Sequence, residues 1–217
     1  MKKAFLLFFC VVCFVWAQEE TEPGNEEFNP VAELAKETLV LANGKSVKGN
    51  SALANKKFIA LYFSAHWCGP CRAFTPELVK FRNNCVKKNL PFEVVFVSHD
   101  KTKDDMKGYM TGENMKWLAI PYDSPLRNKM SSHFKVNGIP TLVLLDGKGN
   151  VVSPNARWDV HILGNEAYKR WQSPNYKPLT YEDAKKGGAK KDAKKSNTNG
   201  KTQNKKTNKK KSSKKAK

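Results

Sequence analysis

A continuous apolar run that leads directly to two closely spaced cysteines constrains this chain more than any other feature. Residues 58–63, FIALYF, carry no charge, as expected of a strand that is buried on both faces of a sheet. Cys68-Gly69-Pro70-Cys71 follows a few residues later, and residues 72–88 then place apolar side chains at helical spacing. Pro76 lies inside that helical pattern and is predicted to kink the helix or to mark a restart.

Further strands and helices are predicted downstream. Two strands joined by a helix imply a right-handed parallel crossover, whereas a tight turn at residues 146–150 implies an antiparallel hairpin. The sequence therefore predicts a single α/β domain with a mixed central sheet flanked by helices. Trp158 and Trp171 are predicted to be packing residues near its end. The other predicted elements are strands at 92–97, 141–145 and 151–152 and helices at 103–109, 126–134 and 160–171.

The two ends of the chain differ in composition from the middle. Residues 1–17 begin with basic residues, continue as an apolar run shorter than a bilayer span, and are predicted to be a cleaved signal peptide; a membrane anchor is the alternative. Residues 18–30 are predicted to be an acidic flexible leader, and residues 185–217 a disordered Lys-rich tail. The folded domain is predicted to span residues 31–184. We expect an exported protein, periplasmic, in the cell envelope or secreted, with a secretory lumen as the alternative.

Most of the net charge of +19 lies in the tail. Residues 185–217 hold fifteen lysines and one aspartate, and two more lysines lie in the predicted signal peptide, so the remainder carries only +3. The folded domain therefore gives little support for an anion-binding function. The tail supports a second hypothesis, a binding or targeting module that contacts nucleic acid, anionic lipid or wall polymer through counterion release. A purely solubilising tail is the alternative.

Two cysteines separated by two residues at the start of a helix predict a redox pair. Unpaired backbone N–H groups and the helix dipole favour negative charge on the first thiol, which lowers its pKa and increases the nucleophilic thiolate. Cys68 is therefore predicted to attack a substrate disulfide, and Cys71 to resolve the mixed disulfide. Pro70 suits an early helical position, and Gly69 permits the close approach of a substrate chain. Such a redox-active disulfide needs no bound cofactor.

A zinc site and a structural disulfide are the two other uses of a closely spaced cysteine pair. A zinc site needs four ligands, and neither Cys85 nor the four histidines have suitable spacing, so no metal is predicted. A purely structural disulfide would constrain very little chain at this position. Cys85 falls on the apolar face of the predicted helix, which favours a buried inert thiol over a second redox site. The histidines are His66, His99, His133 and His161.

The segment Trp67-Cys68-Gly69-Pro70-Cys71 matches the thioredoxin active-site motif. The wider stretch, from about residue 37 to residue 155, resembles the tryparedoxins and nucleoredoxins. This resemblance implies a thioredoxin fold and protein-disulfide reductase activity. The first hypothesis is therefore a disulfide reductase or isomerase that acts on protein or peptide thiols and disulfides, with a redox partner protein. We expect a monomer. The matching segments are residues 61–67, 71–76, 92–98, 117–122 and 138–143.

The resemblance also implies roles for residues around the pair. It implies a cis peptide between Ile139 and Pro140, in a loop that faces the cysteines and helps to hold the substrate backbone. Trp67 is expected to flank the cysteines as part of the docking surface or as a hydrophobic cover. Two residues depart from related patterns: Gly69 stands where tryparedoxins usually carry proline, and Tyr62 stands where typical thioredoxins place a buried aspartate, which agrees with the tryparedoxin branch.

Three residues near the pair are candidate modulators. His66 is predicted to stabilise the thiolate when protonated, or to be an inactive loop residue. Arg72 either adds positive potential or is a solvated helix residue, and Tyr62 either offers a hydroxyl or is a core aromatic. Asp123 and Arg127 are expected to reach the active-site face through the fold.

Overall fold

The computed structural model describes residues 27–186. The predicted signal peptide at 1–17, most of the predicted leader and nearly all of the predicted tail therefore lie outside the described residues. Within the described part of the chain, no helix has the length and apolar character that a membrane span needs.

The strands of the described chain form a single mixed sheet. They are β1 (Thr38–Val40), β2 (Ser46–Lys48), β3 (Phe58–Ser64), β4 (Phe92–Ser98), β5 (Leu118–Ala119), β6 (Thr141–Asp146) and β7 (Val151–Ser153). Their order across the sheet is β2-β1-β5-β4-β3-β6-β7. Strand β3 pairs in parallel with β4 and antiparallel with β6, which in turn pairs antiparallel with β7. This topology confirms the predicted mixed sheet, the parallel crossover and the hairpin.

Helices cover both faces of this sheet. They are α1 (Pro30–Lys36), α2 (Gly49–Leu53), α3 (Gly69–Lys87), α4 (Lys103–Gly112), α5 (Leu126–His133), α6 (Arg157–Leu163) and α7 (Ala167–Trp171). A short helical stretch also occupies residues 181–186. Helix α3 continues through Pro76, so the predicted restart does not occur.

The single helix predicted at residues 160–171 is wrong, because the structure breaks it. Gly164 has φ of +53°, a left-handed conformation that side chains disfavour and glycine accepts. Helix α6 therefore ends there, a 3₁₀ turn spans Gly164–Glu166, and α7 begins at Ala167.

Alternating residues of β3 serve two separate hydrophobic clusters. Every residue of β3 and of β4 is buried, as the unbroken apolar runs predicted. In the first cluster, the face of β3 that includes Tyr62 packs under α3, α4, α6 and α7. In the second cluster, the face that includes Phe63 packs under α1 and α5. The sheet is therefore covered on both sides, and the carboxyl end of β3 leads directly to the cysteines.

The folded unit begins before the boundary predicted from the sequence. The Asn29 side chain caps α1 by accepting the N–H groups of Val31 and Ala32, both at 3.0 Å, and it donates to the Lys148 carbonyl at 2.7 Å. Phe28 packs against the second hydrophobic cluster. Residues 28–30, which the sequence assigned to the leader, thus belong to the domain.

Helix α7 packs against the first cluster through contacts between aromatic rings. Trp171 is 3% exposed, and its ring lies 5.3 Å from the ring of Phe81 and 5.8 Å from that of Phe92. Its predicted packing role is confirmed. Trp158 is only half-buried and contacts Tyr181 near the surface.

The chain beyond α7 is attached to the domain by a buried carboxylate. Asp159 on α6 is fully buried, and it accepts the Tyr176 hydroxyl at 2.7 Å and the Leu179 N–H at 3.4 Å. Burial raises the pKa of Asp159 above its ordinary value. This side chain holds the segment that follows Trp171 against α6.

Candidate active site

The two predicted redox cysteines lie together at the start of α3. Cys68 is the N-cap residue and Cys71 lies in the first turn; the two are joined by a disulfide, with Cα atoms 5.2 Å apart. The Cys71 N–H donates to Cys68 Sγ at 3.2 Å, so an unpaired helix N–H is directed at that sulfur. Cys71 is fully buried, whereas Cys68 is 6% exposed, and Gly69 and Pro70 between them are exposed. Cys68 is therefore the more exposed residue of the pair.

The loop before β6 faces the disulfide. The peptide bond between Ile139 and Pro140 is cis, as the family resemblance implied. Cys68 Sγ lies 3.7 Å from the Ile139 carbonyl oxygen, and the Ile139 side chain packs against Ala65 and both cysteines. This geometry brings the predicted substrate-binding residues Ile139 and Pro140 next to the nucleophile, while their contact with a substrate stays a prediction.

Trp67 flanks the pair on the solvent side. Its side chain is 59% exposed, and its indole N–H donates to the His99 carbonyl at 3.1 Å. The hydrogen bond fixes the edge of the ring while leaving a large apolar surface open beside Cys68. The predicted contact of this surface with a substrate chain stays a prediction.

Tyr62 is both a core aromatic and a hydrogen-bonding residue. Its hydroxyl lies 2.8 Å from Thr75 Oγ1 and donates to the Cys71 carbonyl at 3.3 Å, and Thr75 Oγ1 donates to the same carbonyl at 2.9 Å. Tyr109 joins Thr75 at 2.6 Å and Ser64 at 3.1 Å, which completes a buried hydroxyl cluster. Burial raises the pKa of Tyr62 far above its ordinary value, so this hydroxyl is neutral at physiological pH.

The other candidate modulators make few contacts through their side chains. The backbone N–H of His66 donates to Asp100 Oδ1 at 2.6 Å, while its ring lies 5.7 Å from the Tyr109 ring. Arg72 is exposed, and within residues 27–186 its guanidinium forms no ion pair. Electrostatic roles for His66 and Arg72 stay predictions.

Arg127 and Asp123 occupy different environments. The Arg127 guanidinium lies 4.2 Å from the centre of the Tyr122 ring and donates to the Ser98 carbonyl at 3.0 Å. It thus supports the loop after β4 from behind. Asp123 instead forms an exposed ion pair with Lys103 at 3.0 Å.

Sequence reasoning missed the loop at residues 98–101, which begins at Ser98, the last residue of β4. The His99 N–H donates to the Ser64 carbonyl at 2.8 Å, and the His99 carbonyl accepts the Trp67 indole, so this loop lies directly behind the residues preceding Cys68. Burial and the neighbouring Arg127 lower the pKa of His99. The only signal in the sequence was the position of the loop at the carboxyl end of a strand parallel to β3.

Cys85 has the environment of an inert thiol. It is fully buried in the first hydrophobic cluster, and burial raises its pKa to about 12. A thiol with that pKa supplies almost no thiolate at neutral pH. Among residues 27–186, no cluster of three or more histidine, cysteine or acidic side chains has a metal-binding arrangement.

A disulfide at the N-terminus of a helix, next to a cis-proline loop and on a mixed sheet of this order, defines a thioredoxin-fold protein with a thiol–disulfide centre. Residues 55–151 match the thioredoxin-like family model. The chain belongs to the thioredoxin superfamily of oxidoreductases and is of the tryparedoxin- and nucleoredoxin-like type.

Three known proteins show the extent of the similarity. Probable nucleoredoxin 1 of Arabidopsis thaliana is 40% identical over 134 residues, which cover 62% of this chain and 21% of that relative. The crystal structure of thioredoxin from Wuchereria bancrofti is 44% identical at a TM-score of 0.55, covering 58% of this chain and 87% of that one. Tryparedoxin from Trypanosoma brucei is 33% identical at a TM-score of 0.57, covering 67% and 100%. The chain thus spans about a fifth of that nucleoredoxin's length.

Proposed function

We propose that this protein is a thiol–disulfide oxidoreductase that reduces or isomerises disulfides in protein or peptide substrates. The observation that carries the proposal is the placement of Cys68 at the start of α3, bonded to Cys71 and facing the Ile139–Pro140 loop. The cysteine pair supplies both electrons, so the reaction needs no further cofactor, only a partner protein or thiol that renews the dithiol.

The unequal burial of the two cysteines assigns their roles in the proposed reaction. The Cys68 thiolate attacks one sulfur of a substrate disulfide, forms a mixed disulfide and expels the other substrate sulfur as a thiolate. Cys71 then gives up its proton and attacks Cys68 Sγ, which releases the second substrate sulfur and forms the Cys68–Cys71 disulfide. Two electrons pass from the cysteine pair to the substrate, and the two protons of the dithiol end on the two sulfurs of the substrate. Because Cys71 is fully buried, it is suited only to this intramolecular step.

Reduction of insulin with dithiothreitol as donor tests this proposal directly. We expect the purified protein to accelerate the precipitation of the insulin B chain well above the rate with dithiothreitol alone. The Cys68–Cys71 pair should form reversibly, with a potential in the range of about −270 to −120 mV that related Cys-x-x-Cys proteins span. Cys85→Ser is the matched control and should retain the activity, because Cys85 lies away from the pair. A pair that forms no reversible disulfide would refute the proposal.

We propose that the basic tail, residues 185–217, contacts polyanions without sequence specificity. We also propose that the folded domain acts as a monomer. The support for the tail contact is the run of fifteen lysines with one aspartate. The full chain should elute from heparin at much higher salt than a chain ending at residue 184, while both reduce insulin equally. Equal elution of the two chains would show that the tail only solubilises the protein.

We also propose that the protein is exported and acts in the periplasm or cell envelope, in a secretory lumen or outside the cell. The support is the composition of residues 1–17, which are basic and then apolar before an acidic segment. N-terminal sequencing of protein from the natural source should find a chain that begins at Gln18. A chain that retains residues 1–17 and is confined to the cytosol would contradict export.

A further inference from the structure

A buried carboxylate next to the cysteine pair has no part in the reaction described above. Asp100 follows β4 and is 5% exposed. Its Oδ1 accepts the His66 N–H at 2.6 Å, and its Oδ2 accepts the Ser98 hydroxyl at 2.8 Å. Within residues 27–186 no basic side chain forms an ion pair with it. A buried carboxylate held only by neutral donors costs stability, which favours a functional role for the contacts that it makes.

The Asp100 side chain is fixed before it reaches the active-site segment. The Ser98 hydroxyl that donates to Asp100 also accepts the Asp100 N–H at 3.0 Å, which closes a tight local ring. The Ser98 carbonyl accepts Arg127, and the hydroxyl of Tyr122, whose ring stacks on Arg127, donates to the Lys101 carbonyl. The loop at residues 98–101 is therefore fixed by Arg127 and Tyr122.

The active-site segment is anchored at Ala65, which is fully buried and whose carbonyl accepts the Cys68 N–H at 3.2 Å, and by contacts with residues 98–101. Residues 65–67 connect β3 to the Cys68 N-cap, and both His66 and Trp67 are exposed. The His66 N–H points to Asp100 and the Trp67 indole points to the His99 carbonyl, so the loop at residues 98–101 supplies both hydrogen bonds. A charge-assisted hydrogen bond to a carboxylate is stronger than one between neutral groups, which makes the Asp100 contact the stronger of the two.

We propose that Asp100 is a positioning residue for the nucleophile. By holding the backbone two residues before Cys68, it sets the placement of Cys68 Sγ against the Ile139 carbonyl and of Trp67 against an incoming chain. The proposal rests on the proposed oxidoreductase function and adds a residue that acts on the rate of attack without touching the reacting sulfurs. A displacement of about 1 Å at a reacting group is enough to slow a reaction substantially.

A positioning role and an electrostatic role of Asp100 predict different effects on Cys68, and two variants separate them. Asp100→Asn keeps an oxygen that accepts the His66 N–H but removes the negative charge. Asp100→Ala removes both. A negative charge near a thiolate raises the pKa of the thiol, so a purely electrostatic role would shift the pH profile of Cys68 equally in both variants. A positioning role lowers the limiting rate in the alanine variant alone, even at pH values where Cys68 is fully ionised.

The experiment measures Cys68 alkylation by iodoacetamide in the reduced protein from pH 5 to 10, together with kcat/KM for insulin reduction. We expect Asp100→Asn to stay within about threefold of the wild type and Asp100→Ala to lose roughly tenfold in kcat/KM, with a lower pH-independent limit of alkylation. Circular dichroism and urea unfolding establish that each variant is folded. If Asp100→Ala does not fold, Asp100→Ser replaces it, because a serine hydroxyl is too short to reach the His66 N–H.

The outcomes separate this inference from the function on which it rests. A wild type that does not reduce insulin removes the proposed function. A wild type that does reduce insulin, with an unchanged limiting rate in Asp100→Ala or with equal pH shifts in both variants, overturns the positioning role of Asp100 alone.

Discussion

Replacing Cys68 with serine is expected to reduce insulin turnover to the rate of the donor thiol alone. The serine hydroxyl remains protonated at neutral pH, and the thiolate is the nucleophile in disulfide exchange. Neither of the other two thiols within residues 27–186 can take over, since Cys71 and Cys85 are both fully buried. Any residual turnover above the donor background in Cys68→Ser would contradict the assignment of the nucleophile.

Replacing Cys71 with serine should instead stop the reaction halfway. Cys68 still attacks the substrate, but no thiol in the first turn of α3 displaces the product, so the mixed disulfide accumulates. Non-reducing electrophoresis and mass spectrometry should show one substrate chain attached at Cys68 in Cys71→Ser and none in Cys68→Ser. The same variant with Cys85→Ser should form the identical adduct. Continued turnover, or an adduct mapped to Cys85, would show that the roles of the thiols are different.

A further large effect concerns stability. Replacing Trp171 with alanine should lower the free energy of unfolding by about 3–5 kcal/mol, because a large buried side chain leaves a cavity among aromatic rings. These rings belong to Phe58, Phe81 and Phe92, at centroid distances of 5.9, 5.3 and 5.8 Å. Trp158→Ala, at a half-buried surface position, should cost about 1 kcal/mol or less. Urea unfolding monitored by circular dichroism measures both changes.

Equal unfolding midpoints for the two tryptophan variants would mean that α7 is not part of the cooperative fold. The comparison matters because Trp171 lies twenty residues beyond the matched family segment, which ends at residue 151. A large effect at Trp171 therefore places the C-terminal helices inside the stable domain.

The elements that the sequence predicted well are those with long, regular patterns. Strands β3 and β4 are buried on both faces and read as unbroken apolar runs, and α3 shows its apolar face over four turns. Strands β1 and β5 have only three and two residues, too few to show a period. The break at Gly164 was missed because a glycine permits a left-handed conformation without requiring it.

The residues of the candidate site also differ in how well the sequence predicts them. The cysteine pair is local in sequence, and the cis-proline loop followed from a motif. The hydroxyl cluster and the Asp100 contact join residues far apart in the chain: Ser64 and Tyr109 are 45 positions apart, and His66 and Asp100 are 34. Serine, threonine and tyrosine occur throughout ordinary cores, so only the packed structure shows which of their hydroxyls meet.

The strand pairings differ in the number of paired residues, which implies that the sheet does not unfold uniformly. Strands β3 and β4 share a ladder of seven residue pairs, whereas β1 meets β5 at the single pair Val40 and Ala119. Regions held by few backbone hydrogen bonds exchange their amide protons through local opening that costs less than global unfolding. Strands β1 and β2, which pair antiparallel with each other, should therefore fray as a separate cooperative unit. The disulfide between Cys68 and Cys71 follows β3, on the other side of the widest ladder, and should keep its geometry while that edge opens.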